Sequence, residues 1–539
     1  MVMSRRLPSH RLPSRSLRLA ALTVALALVV AGCSKDDSPA TSGGPVSAPE
    51  AGILRVGIER PQSLDPAQAR SPSELLVAEQ LFDGLTGYDA ATSVVVPAIA
   101  QGWTSTPDQV NWQFTIRPGA TFGNGRELTS ADVKYTLERI ARKGTSSPAA
   151  AQLDAVAGFK AFNLEGRAEE LTGITTPSPT VVAIALEHGQ SSLPAILGNP
   201  AFGIVPREAV EAEAPSFAVS PVGSGPFMIQ SRTDDLVRLV PAPGVNAALR
   251  GVDLEILADA TASYDAFLDG RLDWTAVPPD RVEQVAERHG RSAFRPYLGQ
   301  LFYGFNLKNP KYADIRFREA IVQAIDRDAI VRAIYGAAAQ RLDGLIPDGV
   351  PGFQPDACGE RCLYNPDRAR ALVAEVFGGQ PASEVAIDFD DTGTQRAVAE
   401  AMQANLQAVG ISVVLRSHPF ADYLRFAVSG QQEIFRLGWI GAYPTADGYL
   451  TPLFHSGLPD NVTGFSSTAV DDLLVAGRRE ADDTRRTANY QQAEKLVLEQ
   501  LPVIPLAQFE FHSLVSARVV GLVMSGLGTF DATRVQVGG

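Results

Sequence analysis

The chain has 539 residues, with 60 Asp and Glu against 47 Lys and Arg, and a formal charge of −13 at pH 7. So acidic a body argues against a nucleic-acid partner, whose binding is led by cationic contacts to phosphates. An enzyme is not expected either. The six His (10, 188, 289, 418, 455 and 512) are scattered without a His-Glu-x-x-His pair, and Gly223-Ser224-Gly225 lacks the Gly-x-Ser-x-Gly of a nucleophile elbow.

Residues 1–32 read as an export leader. Arg5, Arg6, Arg11, Arg15 and Arg18 flank an apolar run from Leu19 to Val30, shorter than the roughly 20 residues that a bilayer span needs. The run ends in Val30-Ala31-Gly32-Cys33, which looks like a bacterial lipobox, where the leader is cut before the Cys and the Cys33 thiol carries lipid. An ordinary secretory peptide is the alternative, and Ser4-Arg5-Arg6 leaves Sec and twin-arginine export both open. Residues 33–51 are small and polar, with Gly and Pro, and cannot bury enough surface to offset ordering entropy. They form a flexible tether with a reach of roughly 20–25 Å by random-coil scaling. A diacylglycerol anchor would hold the body at the outer face of the cytoplasmic membrane. Without the leader the chain carries 42 basic and 60 acidic residues, a formal −18. About 490 residues remain, enough for two or three packed lobes.

The element pattern begins with a strand at Ile53–Ile58, then the turn Ser63-Leu64-Asp65-Pro66 and a helical stripe from Glu74 to Phe82. Asn111–Arg117 alternates as a half-buried strand, and Thr129 with Asp132 opens a capped helix carrying Val133, Leu137 and Ile140. Val181–Leu186 is a strand within a mixed region, and Pro221–Phe227 is a Gly/Pro turn before strands at Phe227–Gln230 and Leu236–Val240. A strand at Leu254–Leu257 and a helix from Ser263 follow, then helices at Phe317–Ile325 and Asp328–Tyr335, the second capped by Asp326. Cys358 and Cys362 suggest a local disulfide outside the cytoplasm; a metal reading needs four ligands, and no His lies nearby. Helix Val398–Leu406, strand Ile411–Leu415 and helices Val470–Arg479 and Thr487–Gln500 complete the pattern. Strands and helices alternate throughout, so the class is α/β or mixed α+β.

Several segments, in order, resemble one family. Ser63-Leu64-Asp65-Pro66, Leu81-Phe82-Asp83-Gly84-Leu85, Phe114–Gly119, Leu128–Val133, Gly223–Phe227, Arg318–Arg327 and Leu501–Leu506 are similar to signatures of the family 5 solute-binding proteins that serve ABC importers of peptides. Arg436-Leu437-Gly438-Trp439-Ile440-Gly441-Ala442-Tyr443-Pro444 resembles that family's ligand-pocket segment. The likeness runs from about 53 to 535. It implies a two-lobed periplasmic-binding-protein fold with a hinge. Lobe I would comprise 52–82, 219–301 and 506–539, an extra domain 83–218, and lobe II 302–505. It further implies a monomer without a cofactor or metal, whose partners are an ABC permease and its ATPases, and whose cargo is a peptide or peptide-like solute.

The resemblance also nominates ligand-binding residues. Trp439 would line the pocket, and Arg436 would face an anionic end of the ligand. Tyr443, Asp447, Tyr303, Asn306, Arg60 and Pro61 are further candidates. Three residues after the Trp, the family carries an Asp that captures a peptide ammonium, and here that position is Ala442. Losing one member of a buried charge pair costs about 2–5 kcal/mol, or roughly 30- to several-thousand-fold in affinity. Unless Asp447 or Asp422 substitutes, a ligand without a free α-amine is expected. A carrier of a metal chelate, haem or sugar, and a ligand-sensing lipoprotein, are alternatives on the same fold.

Overall fold

The computed structural model describes residues 52–538 apart from 213 and 291–293. The expected leader, Cys33 and the tether lie outside the described residues. The first strand, β1 (Ile53–Glu59), is an apolar run buried on both faces, as suits a central parallel strand. A helix, Pro72–Leu81, follows; Ser71 and Glu74 close its first turn as a capping box.

The chain then builds an extra domain from the hairpin β2 (Thr86–Tyr88) and β3 (Val95–Pro97) and from β4 (Ala100–Ser105), β5 (Asn111–Ile116), β6 (Ile174–Ser178) and β7 (Val181–Ala185). It returns with β8 (Phe227–Arg232), β9 (Leu236–Pro241), β10 (Gly251–Leu257) and β11 (Trp274–Ala276), and crosses in β12 (Arg295–Phe305) to a second sheet. That sheet adds β13 (Ala339–Arg341), β14 (Val385–Asp390), β15 (Val413–His418), β16 (Ile434–Ile440) and β17 (Val503–Phe511), and β18 (Ser513–Val515) rejoins the first. The strand orders are β18-β11-β1-β10-β9-β8, β13-β17-β12-β16-β14-β15 and, in the extra domain, β4-β5-β7-β6. Each lobe has its own apolar core, and so has the extra domain. The fold is therefore two-lobed and mixed α/β, with one lobe assembled from separate pieces of chain.

β12 and β17 run side by side inside the second sheet, paired from Arg295↔Phe511 to Gly304↔Val503. The chain thus changes sheets near 294 and 512, several residues outside the boundaries expected at 301 and 506. Two helices also start earlier than their apolar stripes suggest, because a preceding Asp caps each. Asp259 accepts from Ala262 N at 2.8 Å, so that helix begins at Ala260. Asp482 accepts from Arg485 N at 2.9 Å and starts its helix at Asp483. The helix Asp447–Phe454 has no legible stripe, since it contains Gly448 and Pro452 and is buried all round.

The family-like signatures are scaffold in this fold. The buried Arg318 donates to the carbonyls of Gln500, Leu501, Tyr312 and Ala313, fixing where the last long helix ends and β17 begins. Arg327 likewise donates to Leu342, Pro505 and Cys362 carbonyls, and Cys358 and Cys362 are joined as a disulfide. The turn Gly223-Ser224-Gly225 presses on the end of the first helix, where the extra domain departs. A Cβ on Gly223 would overlap the Leu81 carbonyl, and Ser224 Oγ donates to Ile204 O at 2.7 Å. Gly223→Ala is expected to destabilise the protein by about 1–3 kcal/mol through overpacking, read as a lower urea midpoint with an unchanged slope.

Candidate ligand-binding site

In open α/β sheets ligands gather outside the carboxyl ends of strands. β16 ends in Arg436-Leu437-Gly438-Trp439-Ile440, and its register with β12 (Tyr303↔Arg436, Leu301↔Gly438, Gly299↔Ile440) puts these pairs on one face. Gly438 is exposed and Ile440 is 62% exposed, so this face is open beyond Arg436. β14 pairs with β16 only at Ile434 and Phe435. Among the described residues, no strand pairs with 436–440 on the side away from β12. Tyr423 Oη donates to Arg436 O at 2.6 Å and covers the edge there, so the open strand edge of β16 runs from Leu437 to Ile440.

Arg436 reaches along the open face: its Nη2 lies 3.5 Å from where a Cβ on Gly438 would stand. Its Nη1 is 3.5 Å from Asp390 Oδ2, a long ion contact to a fully buried carboxylate. Tyr303 is fully buried beneath it, and burial pushes its phenol pKa up. Tyr303 Oη, Asp390 Oδ2, Arg436 Nε, Tyr335 Oη and Gln395 Oε1 are buried without a hydrogen-bond partner among the described residues. Asp390, Tyr335 and Gln395 carry no sequence signal, because they converge from β14 and two separate helices.

Trp439 points to the face opposite Arg436 and is partly buried. Its indole N–H donates to Gly448 O at 2.7 Å, and the ring packs on the core of the second lobe. Asn306 is also structural. Its Nδ2 donates to Gly430 and Gln432 carbonyls at 3.0 and 2.9 Å, and its Oδ1 accepts from Lys308 N. Arg60 is exposed and 3.7 Å from Asp235, while Pro61 is buried. Both follow the carboxyl end of β1, beside a cavity of about 230 Å³ lined by Ile58, Glu59, Leu76, Trp274, Phe511 and His512.

The segment after β16 docks on the extra domain. Ala442 O accepts from Asn199 Nδ2 at 2.9 Å, and Tyr443 packs against the extra-domain core. Asp447 is 1% exposed and fully engaged. Its Oδ1 accepts from Arg478 Nε (2.9 Å), Thr451 Oγ1 (2.6 Å) and Tyr490 Oη (3.2 Å). Its Oδ2 accepts from Gln190 Nε2 (3.0 Å) and Ser192 Oγ (3.2 Å) of the extra domain, with Tyr443 Oη at 3.5 Å. Burial pushes this carboxyl pKa up, but the Arg478 charge and these donors outweigh it and hold it below the usual range. Asp447 has no oxygen left for a ligand ammonium. Asp422 sits exposed on another helix, paired with Arg425.

Sequence reasoning passed over Glu79, an acid inside the apolar stripe of the first helix. It makes no hydrogen bond or ion pair among the described residues. Burial first, then the charges of Asp83 and Asp531, push its pKa up to about 8. Among the described residues, no group of three or more His, Cys, Asp or Glu is placed to hold a metal, and no helix is long and apolar enough to cross a membrane.

Two outcomes follow from these carboxylates. Asp447→Ala strands the Arg478 charge and is expected to cost about 3–5 kcal/mol, seen as a lower midpoint in denaturant unfolding. For Glu79 the folded pKa lies above the ordinary 4.5. Its stability contribution is therefore complete below about pH 4.5 and is lost as pH rises through about 8. Glu79→Gln should raise Tm above pH 8, with the gain vanishing below pH 5.

Residues 94–460 match the family described as bacterial extracellular solute-binding proteins, family 5 Middle. The periplasmic murein peptide-binding protein MppA of Escherichia coli K12 is 26% identical over 516 residues, 92% of this chain and 94% of that protein. The dipeptide-binding protein DppE of Bacillus subtilis 168 is 25% identical over 538 residues, 95% and 97% respectively. The unliganded open form of the murein tripeptide-binding protein MppA superposes with a TM-score of 0.83 at 24% identity, covering 91% of this chain and 98% of that one. With the model match spanning most of both lobes and the extra domain, the chain belongs to the family 5 bacterial extracellular solute-binding proteins.

Proposed function

We propose that this protein is the extracytoplasmic binding component of an ABC importer, which captures a peptide or peptide-like solute between its lobes and delivers it to a permease driven by cytoplasmic ATPases. The observation that carries this reading is the open edge of β16 from Leu437 to Ile440. An extended chain can add to such an edge through main-chain hydrogen bonds, which are indifferent to side-chain identity. Arg436 stands just before the edge and suits a ligand carboxylate, which would compete with the long contact to Asp390. Glu59, Arg60 and Pro61, at the end of β1, belong to the opposing lobe. Ligand held by both lobes favours the closed arrangement, because only that form contacts it from two sides. Capture and release need no covalent step, and no catalytic role is assigned. Cys33 and the tether 33–51 would anchor a monomeric body to the outer face of the membrane.

The cargo reading turns on Ala442. The family Asp is missing there, and Asp447 is locked by Arg478, so an α-ammonium finds no ionised partner in this segment. A peptide-like ligand whose amine is blocked, or absent, fits best. Ala442→Asp should tighten binding of free tri-alanine by roughly 30-fold or more, measured by isothermal titration. An unchanged affinity would count against this account of Ala442.

A further inference from the structure

A cavity of about 370 Å³ separates the extra domain from the second lobe. One wall is Val95 and Trp103 from β3 and β4; the other is the run from Pro444 to Asp447 with Arg486 and Tyr490. The chain leaves the open edge of β16 at Ile440 and forms this wall within four residues, so the cavity adjoins the end of the cleft marked by Ala442. We propose that it is a subsite for an uncharged, hydroxyl-bearing ring carried at that end of the ligand. The proposal rests on the peptide-type reading above.

Charge neutrality comes first. Asp447 is matched by Arg478, and Asp483, on the same wall, is ion-paired with Arg486. A charged group entering here would lose hydration without a free partner, a cost that a neutral group avoids. The lining is nevertheless polar. Ser192, Thr445 and Tyr490 contribute hydroxyls; the protons of Ser192 and Tyr490 go to Asp447, which leaves their oxygens to accept from a ligand hydroxyl. Thr445 Oγ1 is buried with no hydrogen-bond partner among the described residues. An unmet buried group asks for a ligand atom or water. Trp103, half-buried against Phe114 at 6.1 Å, adds a flat apolar surface. An aromatic plane beside clustered hydroxyls complements a ring that is apolar on its face and hydroxylated at its edge.

The test is isothermal titration of the full-length, detergent-purified lipoprotein with four tri-alanine probes: free amine, N-acetyl, N-benzoyl and N-glucosyloxyacetyl. The glucosyl probe is expected to bind at least about tenfold more tightly than the acetyl and benzoyl probes. Trp103→Ala and Thr445→Val should each collapse that difference to within about twofold, and agreement between the two guards against a folding defect in either. A glucosyl probe no better than the acetyl one overturns the subsite, as does a benzoyl probe that equals it or a gain that survives both variants. If none of the four probes binds, the peptide-type reading fails and the subsite with it.

Discussion

The placement of the extra domain against the second lobe depends on one buried ion pair, Asp447 with Arg478. Desolvating two charges is tolerable only where Coulomb attraction and hydrogen bonds are all in place. Here the remaining lone pairs of Asp447 are met by Thr451, Tyr490, Gln190 and Ser192. Two of those donors belong to the extra domain, so the pair is complete only when that domain is seated. Ser191 adds its N–H and Oγ, donated to the carbonyls of Arg478 and Gly477. The same arrangement settles the chemistry at the end of β16, because the acid nearest Ala442 in sequence is spent on structure.

That constraint links architecture to binding. The second lobe offers an open strand edge at Leu437–Ile440, and the segment that follows is pinned by Asn199 and by the extra-domain core. β12 and β17 carry the chain between the two sheets. A hinge in that pair can alter the gap between β1 and β16, while both strand ends stay rigid on their own sheets. Arg436 is held less firmly than Arg478: its counter-ion lies at 3.5 Å and its Nε is unmet. The tightly paired guanidinium is the one that helps hold the domains together.

Much of the fold was legible in the chain because local rules agreed with the tertiary outcome. The capped helix after Thr129, the strand Asn111–Ile116, the Asp326-capped helix and the Gly-rich turn before β8 all follow from side-chain period, caps and turn residues. What escaped is equally physical. Helix starts moved where an Asp cap lay outside the apolar stripe, and the helix with Gly448 and Pro452 is stabilised by burial rather than propensity. Around β16, strand alternation puts Trp439 on the face opposite Arg436, and Asn306 closes a loop through the Gly430 and Gln432 carbonyls, neither of which a residue type announces.

The sequence by itself determined the acidic body, the order of the elements, the family and the absence of an acid at position 442. These are properties of composition, spacing and resemblance. Only the tertiary structure decided what Asp447 does and where β16 is left unpaired. Arg478 is 31 residues from Asp447 and Gln190 is 257 away. No local pattern encodes those distances; they exist only once separately folded lobes have packed and shut water out of their junction.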